Sequence, residues 1–197
     1  MKNRSGAFLV AILLGLAQTH VAVGITYQAT LLNPATCSDS QATGIATGSQ
    51  AGFGTTGGQS HALLWSGTAS SMIDLNPAGL DYSAALGVFG NNQVGYGSNF
   101  HALLWHGSAA SVVDLNPAGF GASRASAAWG TSQVGSGNLG DASHALLWHG
   151  TAASVVDLHP GGIFTMSVAY GAADGTQVGS GQTIPFGAFH ALLWHDT

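Results

Sequence analysis

Serine, histidine and aspartate recur together along this chain, and that trio at the right distances performs nucleophilic acyl transfer. The pentapeptide His-Ala-Leu-Leu-Trp begins at His61, His101, His144 and His190, and an Asp-Leu follows the first three copies at Asp74, Asp114 and Asp157. Ser40, Ser83, Ser123 and Ser167 recur at matching positions, each with an alanine two residues further on. A working triad is needed once, whereas a constellation repeated in every copy is expected to be a structural hydrogen-bond set, because buried polar groups require partners. Leu31 stands where the first copy would place its Asp, which suits a structural role that one copy can do without. No Gly-x-Ser-x-Gly elbow occurs, and a chain without Glu and without a unique carboxylate pair offers no glycosidase-type acid and base. The expectation is a protein that is not an enzyme.

Nine histidines raise the question of a metal. His101 and His106, His144 and His149, and His190 and His195 lie five apart on extended segments, so each pair points to opposite faces and cannot chelate one ion. Equivalent histidines on separate strands lie too far apart for a zinc centre, whose donors sit at roughly 2 Å. Gly137-Asn138-Leu139-Gly140-Asp141 resembles a glycine-aspartate calcium turn, but it occurs once, and such repeats act as arrays. Neither a metal nor another cofactor is expected. Cys37 is the only cysteine, four residues after Asn33; the same offset from Asn76, Asn116 and His159 gives Leu80, Phe120 and Ile163. A buried small hydrophobe is the expectation there.

The residues that position these side chains form a repeat of 40 to 46 residues, measured between successive His-Ala-Leu-Leu-Trp motifs. A Gln-Val-Gly-x-Gly motif recurs from Gln93, Gln133 and Gln177, with Gln50-Ala51-Gly52 as the first copy. Each unit holds four strand-length segments. In the third they are A (around Ala125 to Trp129), B (Gln133 to Gly137), C (His144 to His149) and D (Ser154 to Leu158). Thirty glycines and a charged fraction of only 6% suit an all-β protein with tight turns. Segment C is apolar on both alternating faces and belongs inside a stack of sheets. Segment D puts Val155 and Asp157 on one face and Val156 and Leu158 on the other, as an outer strand would. Segments A and B, rich in Ala and Gly, fit where backbones crowd near a propeller axis.

Ile25 to Pro34 matches segment D through Leu32-Asn33-Pro34, and the chain then runs A, B, C, D until it stops on a C segment at Trp194. The N-terminal strand would supply the missing D. The expected fold is a four-bladed β-propeller of four-stranded repeats, about 25–65, 70–105, 109–148 and 154–194, with the last blade closed by residues 25–34. A β-solenoid or an open stack of sheets is the alternative.

Gly-x-Gln-Val-Gly, then His-Ala-Leu-Leu-Trp, then a hydrophobic pair and Asp-Leu is similar to the extracellular HAF-type repeat family, whose usual core is His-Ala-Phe-Leu-Trp. The resemblance spans essentially all of residues 25–197; Leu stands here for the family's Phe, and Asn-Pro follows Asp-Leu where the family runs into glycines. It implies secretion and a propeller-like array, and it implies no chemistry. The N-terminus agrees: Lys2 and Arg4 precede an apolar stretch from Ala7 to Ala17, with small residues ending at Gly24, as in a secretory signal peptide covering 1–24. Cleavage would leave Arg124 as the only Lys or Arg against eight Asp. Nucleic acid and anionic membranes are therefore poor partners.

Spacing variation points to a binding surface. The Gln-to-His distance is 11, 8, 11 and 13 residues in the four units, while His to Asp is always 13. The B-to-C loops and the D-to-A connections share one rim, which would present Asp81, Tyr82, Asn99, Phe100, Arg124, Asp141, Phe186 and Phe189. An extracellular protein or glycan is the expected partner there, with a self-assembling structural module as the alternative.

Overall fold

The computed structural model describes residues 26–184 and 187–195, so the expected signal segment and Phe186 lie outside the described residues. Short apolar runs interrupted by turn-forming residues become fifteen strands, and two-residue turns join the first two strands of each unit. Gly90 and Gly130 hold those turns at φ 56 and 57, a region closed to most side chains.

The first sheet contains β1 (Ser40–Ala46), β2 (Ser49–Thr56), β3 (Gln59–Trp65) and β4 (Ile73–Asp74). The second contains β5 (Ser83–Phe89), β6 (Asn92–Gly97), β7 (His101–Trp105) and β8 (Val113–Asp114). In the third, β9 (Ala122–Trp129), β10 (Ser132–Leu139), β11 (Ala142–Trp148) and β12 (Val156–Asp157) repeat the pattern. The fourth holds β13 (Phe164–Ala173), β14 (Thr176–Thr183) and β15 (Phe189–His195). Every strand is antiparallel to its chain neighbour in the same sheet.

The two glycines of Gln-Val-Gly-x-Gly have separate steric causes. The first strand of each sheet carries a bulge, and two residues before the extra residue a carbonyl presses on the second strand. A Cβ on Gly95 would stand 1.9 Å from the Ala84 carbonyl, and one on Gly135 1.9 Å from that of Arg124. The second glycine leaves room for the central leucine of the neighbouring strand: a Cβ on Gly137 would meet Leu146 at 2.6 Å and Phe120 at 2.8 Å.

Successive sheets stack through the first strand of the later one, which packs across the preceding sheet. Leu64, Ala85, Val88 and Trp105 fill the first junction. Val94, Leu104, Ala125 and Trp148 fill the second, and Val134, Leu147, Ala169 and Trp194 the third. The apolar C segments are thus buried on both faces in three of the four sheets. β1, β5, β9 and β13 run side by side through the stack, and Thr43 Oγ1 of β1 donates to the Ala85 carbonyl of β5 at 2.8 Å.

Three expectations need correction. Segment D is a 3-10 turn, Ala152–Ser154 in the third unit, followed by a strand of only two residues. Alternation does not extend through it: Val155 and Leu158 pack inward while Val156 is exposed. The expected closing strand is not formed by the described residues 26–34, and the fourth sheet has three strands. Leu32 and Cys37 pack instead on Leu63 and Trp65 of β3, the place that Leu75 and Leu80 occupy on the next sheet. The first and last sheets remain apart, so the array is not closed. Finally, Cys37 is buried and Leu80 and Phe120 are partly buried at the matching place, but Phe164, not Ile163, is the fourth counterpart. His159 to Ser167 spans eight residues where Asn76 to Ser83 spans seven, so the extra residue pushes Ile163 outward and Phe164 takes the pocket beside Gly181.

Candidate functional site

The repeated Ser, His and Asp divide into two hydrogen-bond sets. Ser83 Oγ donates to Asn76 Oδ1 at 2.6 Å and accepts the Ala62 amide of the preceding sheet at 3.0 Å. Ser123 does the same with Asn116 and the Ala102 amide. Each serine therefore rivets one sheet to the next. The histidines bond elsewhere: Nδ1 of His61, His101 and His144 meets Oδ2 of Asp74, Asp114 and Asp157 at 2.7 to 2.8 Å. The other carboxylate oxygen accepts the backbone amide two residues on, closing an Asx turn. In these two units the serine hydroxyl and the imidazole address different partners, and the seryl group is buried.

The third unit departs from this pattern. His159 replaces the asparagine, bonds Ser167 Oγ through Nδ1 at 2.9 Å, and stacks on His144 with ring centroids 4.2 Å apart. Burial and the adjacent His144 push the His159 imidazole below its ordinary range, against a smaller opposing pull from Asp157. Among the described residues no group of three His, Cys, Asp or Glu is placed to hold a metal ion.

A second cluster forms between the second and third sheets. Tyr82, at the entry to β5, meets Phe100 edge-on at 6.1 Å and Tyr96 at 6.4 Å, while Tyr96 and Phe100 lie nearly parallel at 6.5 Å. The Arg124 guanidinium of β9 sits 5.1 Å above the Tyr96 ring. A cleft of about 290 Å³ opens beside them, lined by Tyr96, Phe100, Arg124, Ser136 and Asn138. Arg124 has no carboxylate within 4.0 Å among the described residues, so its charge is available to an incoming group.

Local sequence builds this cleft in two ways. The stretch from Gln93 to His101 is the shortest of the four Gln-to-His intervals, so β6 ends at Gly97 while β10 continues to Leu139. The missing length leaves a space above the second sheet, with Asn138 on its far wall. Within that turn Asn99 and Phe100 lie at φ 64 and 57. Asn tolerates the left-handed region, but an aromatic residue there is strained by roughly 1–3 kcal/mol. The strain is held by Ser98, whose Oγ accepts the amides of Asp81 and Tyr82. Phe100 consequently stands 62% exposed at the cleft mouth.

Of the eight rim residues, Asp81, Tyr82, Asn99, Phe100 and Arg124 converge on this end of the second junction. Asp141 lies in the exposed turn between β10 and β11, and exposed Phe189 opens β15 in the fourth sheet; neither lines the cleft. Tyr96, Ser136 and Asn138 escaped the sequence reading. Tyr96 occupies the variable position of Gln-Val-Gly-x-Gly, where Phe53, Ser136 and Ser180 stand in other units, and that divergence was the available signal. A further aromatic pair, Phe89 on Trp129 at 4.6 Å, marks the opposite end of the same two strands.

No protein-family model, curated protein or solved structure matches the chain. No helix among the described residues is long and apolar enough to cross a membrane.

Proposed function

We propose that this protein is a secreted, non-catalytic binding module whose sheets are blades of a β-propeller, and that it takes a glycan bearing a carboxylate in the cleft between the second and third sheets. The observation that carries the reading is the Tyr82–Tyr96–Phe100 cluster under an uncommitted Arg124. The apolar face of a sugar ring stacks on an exposed aromatic such as Phe100, and its hydroxyls bond short polar side chains such as Ser136 and Asn138. A uronic or sialic acid carboxylate would meet Arg124 through two parallel N–H donors. Strain held at Asn99 and Phe100 agrees with a functional turn. The side-by-side first strands and the similarity to HAF-type repeats support the blade reading and an extracellular setting.

An array of neutral and acidic glycans, followed by calorimetry on the best binder, tests this. Tyr82→Ala or Phe100→Ala is expected to weaken binding by about 1 kcal/mol or more, since aromatic anchors dominate such contacts. Arg124→Gln should erase the preference for acidic over neutral sugars. Absence of binding to every acidic glycan, or equal binding by Arg124→Gln, refutes the reading.

A further inference from the structure

The stack ends in two faces that match the halves of its own internal junctions. At each junction a small apolar residue of the second strand (Ala51, Val94, Val134) and a leucine of the third are covered by the next sheet's first strand; Val94 and Leu104 are 0% and 1% exposed. Their counterparts in the fourth sheet, Val178 and Leu193, are 50% and 63% exposed. The receiving side is equally bare: Val88 of β5 is 7% exposed, while its counterpart Ile45 of β1 is 80% exposed. Ala85 is buried where Ala42 is exposed. One face lacks a cover and the other lacks a floor, and each has the shape the other needs.

Polar groups show the same complementarity. Ser40 Oγ donates to Asn33 Oδ1 at 2.7 Å, as Ser83 does to Asn76, but no amide from a preceding sheet reaches it among the described residues. Ala191 of β15 corresponds to Ala62, whose amide binds Ser83 Oγ and whose carbonyl accepts Leu75 N at 2.8 Å. Among the described residues the fourth sheet has no outer strand, while Thr26 to Leu32, which precedes β1 as β4 precedes β5, pairs in no sheet. Among the described residues the first and last sheets do not pack on one another, which leaves both end faces open to a second copy.

We infer that two copies of this chain join head to tail into a closed ring of eight sheets, with the Val178 and Leu193 face of each copy packed on β1 of the other. Two identical contacts related by a two-fold axis close the ring, and eight blades lie within the range that propellers adopt. In each contact the second copy's Ser40 hydroxyl accepts the Ala191 amide. Its Thr26 to Leu32 segment completes the three-stranded sheet, with Leu32 N donating to the Ala191 carbonyl as Leu75 N does to Ala62. The partner is a second copy because the vacant positions repeat, position by position, what this chain already binds within itself. The inference rests on the blade reading and not on the glycan. A failed glycan screen leaves it standing, and a monomeric protein leaves the glycan cleft intact within one copy.

Sedimentation equilibrium of the purified full chain is expected to give the mass of two copies. Ile45→Asp and Leu193→Asp alter side chains that are exposed in the single chain, so each should keep the β-sheet circular dichroism. Each should also weaken self-association by about 30-fold or more, the loss expected for a buried anchor. Mixed one to one, the two variants regain a two-chain species, because one of the two contacts in the mixed pair then joins unaltered faces. The Ala191 amide should be protected from hydrogen exchange in the wild type and exchange freely in Ile45→Asp. A wild type that is monomeric at all concentrations, a mass that grows without limit, variants that remain paired, or a mixture that stays monomeric would each overturn the inference.

Discussion

His159 stands where the other units use asparagine, and its surroundings make a pH prediction possible. Burial and His144 lower its proton affinity, with Asp157 the carboxylate facing the pair. Between its folded value and the ordinary value near 6.5 the unfolded chain holds a proton that the folded chain does not. Stability therefore falls as pH drops through that window. His159→Asn, which restores the residue found at Asn76 and Asn116, should flatten this part of the profile, read as melting temperature from pH 8 to 5 against the wild type. Two glycines give a sharper contrast at the same scale. Gly135→Ala drives a methyl group into the Arg124 carbonyl and should cost at least about 2 kcal/mol in chemical denaturation. Gly121→Ala meets nothing within 4 Å and should stabilise by about 0.4–1 kcal/mol, by restricting the unfolded chain. A repeated motif announces such steric demands in the sequence, since Gly recurs wherever a carbonyl of the first strand needs the space. Tyr96 was illegible for the converse reason: it fills the one position of the motif that no steric demand fixes.

Among the elements, the turn from Ser98 to Phe100 shows how a deletion builds a site. The cleft lies beside the shortest Gln-to-His stretch of the four, Gln93 to His101, and not beside the longest. Phe100→Gly should remove the left-handed strain while losing the contacts to Tyr82 and Tyr96. The expected outcome is a melting temperature equal to or above that of the wild type together with lost glycan binding, measured by calorimetry and thermal denaturation on one preparation. Strand order and pairing were readable because spacing and alternation are local properties. The D segment was not, because a two-residue strand is too short for alternation to be expressed. Its conformation is set by the preceding 3-10 turn, where the Ser154 hydroxyl donates to the Thr151 carbonyl and accepts the His149 amide. The displaced Ile163 was legible in principle, since one residue more between His159 and Ser167 shifts everything between them.

For the molecule as a whole, closure is the property the sequence could not reveal. Ile45 and Leu193 are the exposed end faces that the inferred ring would bury. Whether one chain joins its own ends depends on the rotation accumulated from sheet to sheet, a quantity carried by many small packing choices and by no motif. The serine rivets add a consequence for how such a gene changes over time. Ser83 and Ser123 each belong to one unit and fasten the unit before it, so the bond that matters always straddles the boundary between copies. Unequal recombination between two copies, wherever it cuts, yields a chain in which every rivet still finds its amide. Units can therefore be gained or lost while this bond is kept, and the number of stacked sheets becomes a trait that copy number alone can alter.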